Sequence, residues 1–190
     1  MSLRVGVLGS TRGTALQGVL DAIAAGTLDA EICLVISDRA SAPILDRARL
    51  YKAPAEFLDP AGLTREAYDE RVTEALREAG AEVVLLVGYM RILSAAFVEA
   101  WRGRLLNVHP SLLPAFAGLM NRKVHEAVLT SGVRETGCTI HQVTEEVDEG
   151  PIVLQKRCPV LANDTVDTLK DRVQALEQIA FVEVLRGWRG

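Results

Sequence analysis

The chain has 190 residues, 49% of them hydrophobic and 24% charged, with a formal net charge of -4. That length suits one domain with a sizeable core. A balance this even, with no block of Lys or Arg, excludes the footprint of a nucleic-acid binder but leaves room for a small anion held by a backbone loop.

The first half alternates between strands and helices. "RVGVLG" reads as a short apolar strand, and "TALQGVLDAIAAG" follows with helical periodicity and a stop at Gly26. "AEICLVIS" is a second strand, "APILDRARLYK" a helix with Pro43 in its first turn, and "APAEFLD" a short third strand. "TREAYDERVTEALREAG" is an amphipathic helix with Thr64 as candidate cap and Gly80 as stop. "AEVVLLVG" is apolar on both faces, as a strand covered on both sides must be. "SAAFVEAWRG" reads as a helix and "RLLNV" as a fifth strand. From Gly137, "GCTIHQVTEEVDEGPIVLQKRCPV" reads as two strands around an acidic turn, before a long helix from about Thr165 to Leu185. This rhythm predicts an α/β fold: a three-layer, open, mostly parallel twisted sheet with helices on both faces. No linker or repeat interrupts it, so residues 1–190 read as a single domain.

Cys33, Cys138 and Cys158 are far apart and unpaired in spacing, and Cys33 and Cys138 fall in apolar strands. They read as buried strand residues rather than metal ligands. No signal peptide or membrane span is visible, which makes the cytoplasm the expected compartment.

Ligands of such sheets bind beyond the carboxyl ends of the strands. Two segments fall there. In "LGSTRGTALQ" a strand ends at Gly9 and small polar residues lead into a helix, a junction whose N–H groups favour a phosphate. It has neither dinucleotide nor P-loop spacing. The alternative is a plain tight turn with Thr14 as helix cap. Asp38 ends the second strand, where a ribose-binding acid could sit. In "LLNVHPSLLP", Asn107 and His109 lie two apart and share a strand face. The amide can donate to an oxyanion and the imidazole can carry protons near neutral pH. Glu145, Glu146, Asp148 and Glu149 crowd the acidic turn, and an acid beside His109 would orient the ring and raise its pKa. Spacing alone does not choose among the four. His141 could face the site or the core, His125 reads as a structural or rim residue, and Ser111 lacks a nucleophile elbow.

"NVHPSLLP" with the later "VDEGPI" resembles the folate-dependent formyltransferases, and within them the phosphoribosylglycinamide formyltransferases of purine biosynthesis. "REAYD", "GYMRILS", "GRLLNVHPSLLP", "TGCTIH" and "VDEGPIVLQ" match in order over nearly the whole chain. The resemblance implies a catalytic set of Asn107, His109 and Asp148. It implies substrate phosphate and ribose contacts at Ser10, Thr11, Arg12, Gly13, Thr14 and Glu177. It implies folate contacts at Arg65, Met90, Arg91, Ile92, Leu93, Asn107, Val143, Thr144 and Val147. On this basis the N-terminal half is expected to bind phosphate and substrate, and the C-terminal half to bind folate and carry catalysis. The implied reaction moves a formyl group from the co-substrate 10-formyltetrahydrofolate to the amine of glycinamide ribonucleotide. It needs no metal, nucleic acid or membrane, and a monomer or homodimer is expected. The chain departs from the family at two places. The family loop resembles Ser-Gly-Asn-Gly-Ser-Asn, where this chain has Ser10-Thr11-Arg12-Gly13-Thr14-Ala15, and Met120 stands where the family has a His, with a few residues inserted before Ala127. Two other readings stand beside this one. A 10-formyltetrahydrofolate hydrolase shares the Asn, His and Asp, although it typically carries an added N-terminal domain and needs no phosphate loop. A non-catalytic nucleotide-binding module would give Asn107 and His109 no task.

Overall fold

In the computed structural model, which describes residues 2–120 and 122–188, seven strands form one sheet in the order β3-β2-β1-β4-β5-β6-β7. The elements are β1 (Leu3–Leu8), α1 (Thr14–Ala24), β2 (Ala30–Ser37), α2 (Pro43–Leu50), β3 (Ala55–Phe57), α3 (Arg65–Glu78), β4 (Val83–Leu86), α4 (Ala95–Ala100), β5 (Leu105–His109), α5 (Arg122–Ser131), β6 (Glu135–Gln142), β7 (Ile152–Pro159) and α6 (Val166–Arg186). Strands β1 to β5 pair in parallel, whereas β6 runs antiparallel to both β5 and β7. The expected open, mostly parallel sheet is the one observed.

Its two faces bury separate cores. Leu16, Val19, Ile44, Leu45, Val173 and Phe181 pack one face with Val5, Val7 and Leu85. Tyr68, Val72, Leu76, Phe97 and Trp101 pack the other with Leu8, Ile36 and Val84. Alternate residues of β1 and β4 thus enter opposite cores, which is why those strands read as continuous apolar runs. Cys33, Cys138 and Cys158 are buried and free. Among the described residues no helix is long and apolar enough to cross a membrane.

Local chemistry sets the element ends. Thr64 Oγ1 accepts from Ala67 N and starts α3, Pro43 opens α2 at its first position, and Thr165 with Thr168 forms a capping box at α6. The third strand and fourth helix are shorter than their apolar runs suggest, at three and six residues. The Thr14 cap that the plain-turn alternative calls for is not formed. Gly13 is the N-cap of α1, in the left-handed region at φ 63°, and a Cβ there would come within 2.4 Å of Ile44.

Candidate active site

A cavity of about 710 Å³ opens beyond the carboxyl ends of β1, β4 and β5. Asn107, Val108 and His109, the last residues of β5, line it together with segments from both faces of the sheet, which we take as two lobes: Leu86, Tyr89, Leu93 and Val143 belong to the core of one face, and Ala15 and α6 to the core of the other. One lobe is walled by residues 86–93 and 143–148. The other is walled by residues 11–15, the start of α5, and the Lys170, Gln174 and Glu177 face of α6.

His109 is 4% exposed and held from both sides. Its Nε2 lies 3.1 Å from Phe116 O, and its Nδ1 lies 3.3 Å from Asp148 Oδ2. A carbonyl oxygen only accepts, so Nε2 carries a proton and donates it to Phe116. Phe116 and Asp148 both sit in the left-handed region, at φ 61° and 59°, an uncommon conformation for residues with side chains. Asp148 is further fixed by Gly118 N, which donates to its Oδ2 at 2.9 Å. The turn closes at Gly150, where a Cβ would meet Gln142 O at 1.7 Å. Of the four acids in that turn, Asp148 is the one beside His109, while Glu145, Glu146 and Glu149 are exposed.

Asp148 raises the His109 pKa as expected, but a larger effect opposes it. Burial lowers it below the ordinary histidine value, and the Asp148 carboxylate is the largest influence in the opposite direction. Desolvation penalises the imidazolium more than one carboxylate at 3.3 Å compensates. The unliganded ring is therefore neutral at pH 7, with the bare Nδ1 facing a carboxylate ready to stabilise an incoming proton.

Asn107 is fixed by His141, its direct cross-strand partner. His141 Nδ1 lies 3.0 Å from Gln142 O, which again only accepts, so this nitrogen carries the proton. Burial lowers the His141 pKa, so the ring is neutral and its Nε2 is bare. The Asn107 atom 3.1 Å away must then be the amide nitrogen donating to it. That orientation leaves a second Nδ2 proton for a ligand.

In the other lobe, Thr11, Arg12, Gly13, Thr14 and Glu177 all line the cavity as expected, but Ser10 does not. The Ser10 hydroxyl is used inside the protein: it donates to Asp38 Oδ1 at 2.6 Å and accepts from Met90 N at 2.9 Å. Asp38, the other residue read as a possible ribose ligand, does not line the cavity either. Glu177 is buried without compensating charge, which pushes its pKa up to about 8. Met90, Arg91, Ile92, Leu93, Val143, Thr144 and Val147 line the first lobe, whereas Arg65 does not. Arg65 opens α3, is half-exposed, and pairs with Glu66 at 3.3 Å. Ser111 is buried with its hydroxyl donating to Ala115 O at 2.5 Å, a structural use.

A family model described as formyl transferase matches residues 3–185. The chain belongs to the formyl transferase family. Within that family it is 39% identical over 184 residues to the phosphoribosylglycinamide formyltransferase of Escherichia coli (strain K12), covering 96% of this chain and 85% of that protein. It is 42% identical over 185 residues to the trifunctional purine biosynthetic protein adenosine-3 of Gallus gallus, covering 97% of this chain. The chain spans only 18% of the length of that trifunctional relative. The crystal structure of glycinamide ribonucleotide transformylase 1 from Symbiobacterium toebii is similar throughout, with a TM-score of 0.92 at 44% identity, covering 97% of this chain and 86% of that one.

For a formyl transferase family member, the cavity also holds side chains that sequence reasoning left open or passed over. His141 was readable as a site or core residue, and its pairing with Asn107 decides for the site. Lys170 and Gln174 precede Glu177 by seven and three residues on α6 and share its cavity face. That helical spacing was the available signal. His125 lines the cavity from α5.

Proposed function

We propose that this chain transfers a formyl group from 10-formyltetrahydrofolate to the amine of glycinamide ribonucleotide. The observation that carries the reading is the set Asn107, His109 and Asp148 standing between an apolar lobe and a polar lobe of one cavity. A transferase needs two such lobes meeting at a reacting centre.

The apolar lobe suits the folate, which supplies the activated formyl group when bound. Ile92 and Val147 stand on its two walls at 67% and 62% exposure. A flat ring system laid between them would cover surface now facing water, at up to about 2 kcal/mol for each side chain. The polar lobe suits the phosphoribosyl amine. The N-terminus of α1 with Arg12 supports a phosphate, and Glu177, uncharged at pH 7, offers a donor and an acceptor to ribose hydroxyls.

At the centre, the free Nδ2 proton of Asn107 is placed to donate to an oxygen on which negative charge collects during acyl transfer. The Nε2 proton of His109 can join it by exchanging Phe116 O for that oxygen. The proton released by the attacking amine has a place between His109 Nδ1 and Asp148 Oδ2, where it turns two opposed lone pairs into a bond, and from there it passes to the folate nitrogen as that nitrogen's bond to the formyl carbon breaks. On this reading each lobe draws on both halves of the chain. Residues 90–93 wall the folate lobe and Glu177 the ribose lobe, so the division expected between halves is not kept.

The test is a turnover assay with purified protein, 10-formyltetrahydrofolate and glycinamide ribonucleotide. Formylated product supports the transferase. Formate release without the acceptor supports a hydrolase, and ligand binding without turnover supports a binding module.

A further inference from the structure

β1 and β4 are neighbours in the sheet, and their ladder runs on past the strand ends. Val87 N donates to Leu8 O at 2.8 Å, and Ser10 N donates to Gly88 O at 3.1 Å. There the two chains part. Residues 11–13 lead into α1, whose Leu16 and Val19 lie in the core of one face, while Tyr89 and Leu93 pack against the core of the other. The continuations of two paired strands thus wall different lobes, residues 11–15 the polar one and residues 86–93 the apolar one.

Ser10 sits at that fork. It is 3% exposed and lines neither lobe. Its hydroxyl has one proton, which goes to Asp38 Oδ1 at 2.6 Å, just past the end of β2. A lone pair is left for Met90 N, which donates to it at 2.9 Å. Giving its proton to a carboxylate makes the oxygen a stronger acceptor. Among the described residues this is the one side-chain hydrogen bond between residues 10–15 and 86–93. The two segments also touch: Gly88 has φ 61°, and a Cβ there would lie 2.3 Å from Thr11 Oγ1. On its far side the loop is fixed by α2, where Ile44 N donates to Thr11 O at 3.1 Å and Arg47 Nε to Arg12 O at 2.9 Å. With the loop anchored there, the Ser10 hydroxyl sets where Met90 stands relative to it.

That spacing bears on rate rather than on affinity. Each lobe holds one reactant, and the amine must reach the formyl carbon at about 3–3.5 Å, where a misplacement of about 1 Å can cost about 10²-fold.

We propose that Ser10 is a positioning residue for formyl transfer: its hydroxyl, oriented by Asp38, fixes the folate wall at Met90 against the loop of the acceptor lobe, and so sets the distance between donor and acceptor. The proposal rests on the two-lobe reading given above and gives Ser10 a task other than ligand contact.

The experiment compares wild type with Ser10→Ala in single-turnover rate at saturating 10-formyltetrahydrofolate and glycinamide ribonucleotide, with the KM of each substrate and thermal unfolding beside it. Ser10→Ala should slow the single turnover by about tenfold to 10²-fold and leave both KM values near wild type, because neither lobe loses a lining side chain. Asp38→Ala reaches the same bond from a half-buried position should Ser10→Ala not fold, and it too should slow the single turnover. Asp38→Asn, which keeps an acceptor oxygen for the hydroxyl, should lose less than Asp38→Ala. Ser10→Ala combined with Asp38→Ala should be no slower than Ser10→Ala alone, because Asp38 acts through the hydroxyl. A folded Ser10→Ala that turns over at the wild-type rate overturns the positioning role and spares the function. So does a loss confined to the KM of one substrate, which marks a direct ligand contact. A wild-type protein that transfers no formyl group overturns both.

Discussion

Asn107 and His141 face each other across β5 and β6, with the amide nitrogen of one 3.1 Å from the bare ring nitrogen of the other. The Gln142 carbonyl sets the His141 tautomer, and the tautomer sets which way the amide points. A buried chain of this kind fixes a donor in place before substrate arrives, and pre-placed donors cost no reorganisation during reaction.

His141 is accordingly a positioning residue for Asn107. Asn107→Ala should lower kcat by about 10² or more, and His141→Ala by less. The double variant should be little worse than Asn107→Ala, because His141 acts through an amide that is then gone. A double-mutant cycle on kcat measures this, and additive losses would show that His141 acts independently.

His109→Ala should leave the fold intact and lower kcat by about 10² to 10³. Thermal unfolding and steady-state rates together check it. A folded variant that keeps most of its kcat would remove His109 from the mechanism.

Asp148→Asn keeps the shape but removes the one charge that raises the His109 pKa. The His109 pKa, already lowered by burial, should fall further, and kcat should fall with it. Glu145→Gln, Glu146→Gln and Glu149→Gln, at exposed positions, should have small effects. NMR titration of the three histidines with pH–rate profiles for all four variants decides. A larger effect from any of the glutamates means the wrong acid has been assigned.

Glu177 gives a pH signature in stability. Its pKa rises from an ordinary 4.5 to about 8 on folding, so the native state holds a proton that the unfolded chain has lost across that window. Unliganded stability should therefore fall as pH rises from about 4.5 to about 8, by on the order of a few kcal/mol. Glu177→Gln, which cannot ionise, should gain stability relative to wild type at pH 8 but not at pH 4. Urea midpoints at the two pH values test this, and a constant difference between the proteins would refute the shift.

Arg12→Ala should raise the KM for glycinamide ribonucleotide more than that for the formyl donor, because Arg12 lines only the polar lobe. Equal changes in both constants would argue against a direct phosphate contact.

The sheet was legible because its strands are buried on two faces and read as apolar runs, and because Gly26, Pro43, Thr64 and Gly80 punctuate the helices with their own chemistry. Asn107 and His109 were legible from their period of two at a strand end. Asp148 was not separable from its acidic neighbours by spacing, since only the left-handed turn at φ 59° aims it at His109. The family pattern supplied that choice. Ser10 was misplaced because a loop hydroxyl can turn to ligand or to protein, and the Asp38 partner that captures it lies 28 residues away. Asp148 raises the His109 pKa as its charge requires, but that burial outweighs it is not legible, because desolvation depends on packing from distant segments, which no local pattern encodes.

The central claim is formyl transfer between two lobes, and one measurement reaches it directly. Purified protein is given 10-formyltetrahydrofolate with and without glycinamide ribonucleotide, and both formylated ribonucleotide and free formate are quantified by mass spectrometry. The account predicts formylated ribonucleotide in step with donor consumption when the acceptor is present, and negligible donor loss without it. Formate released at the same rate in both samples, with no formylated ribonucleotide, would contradict it.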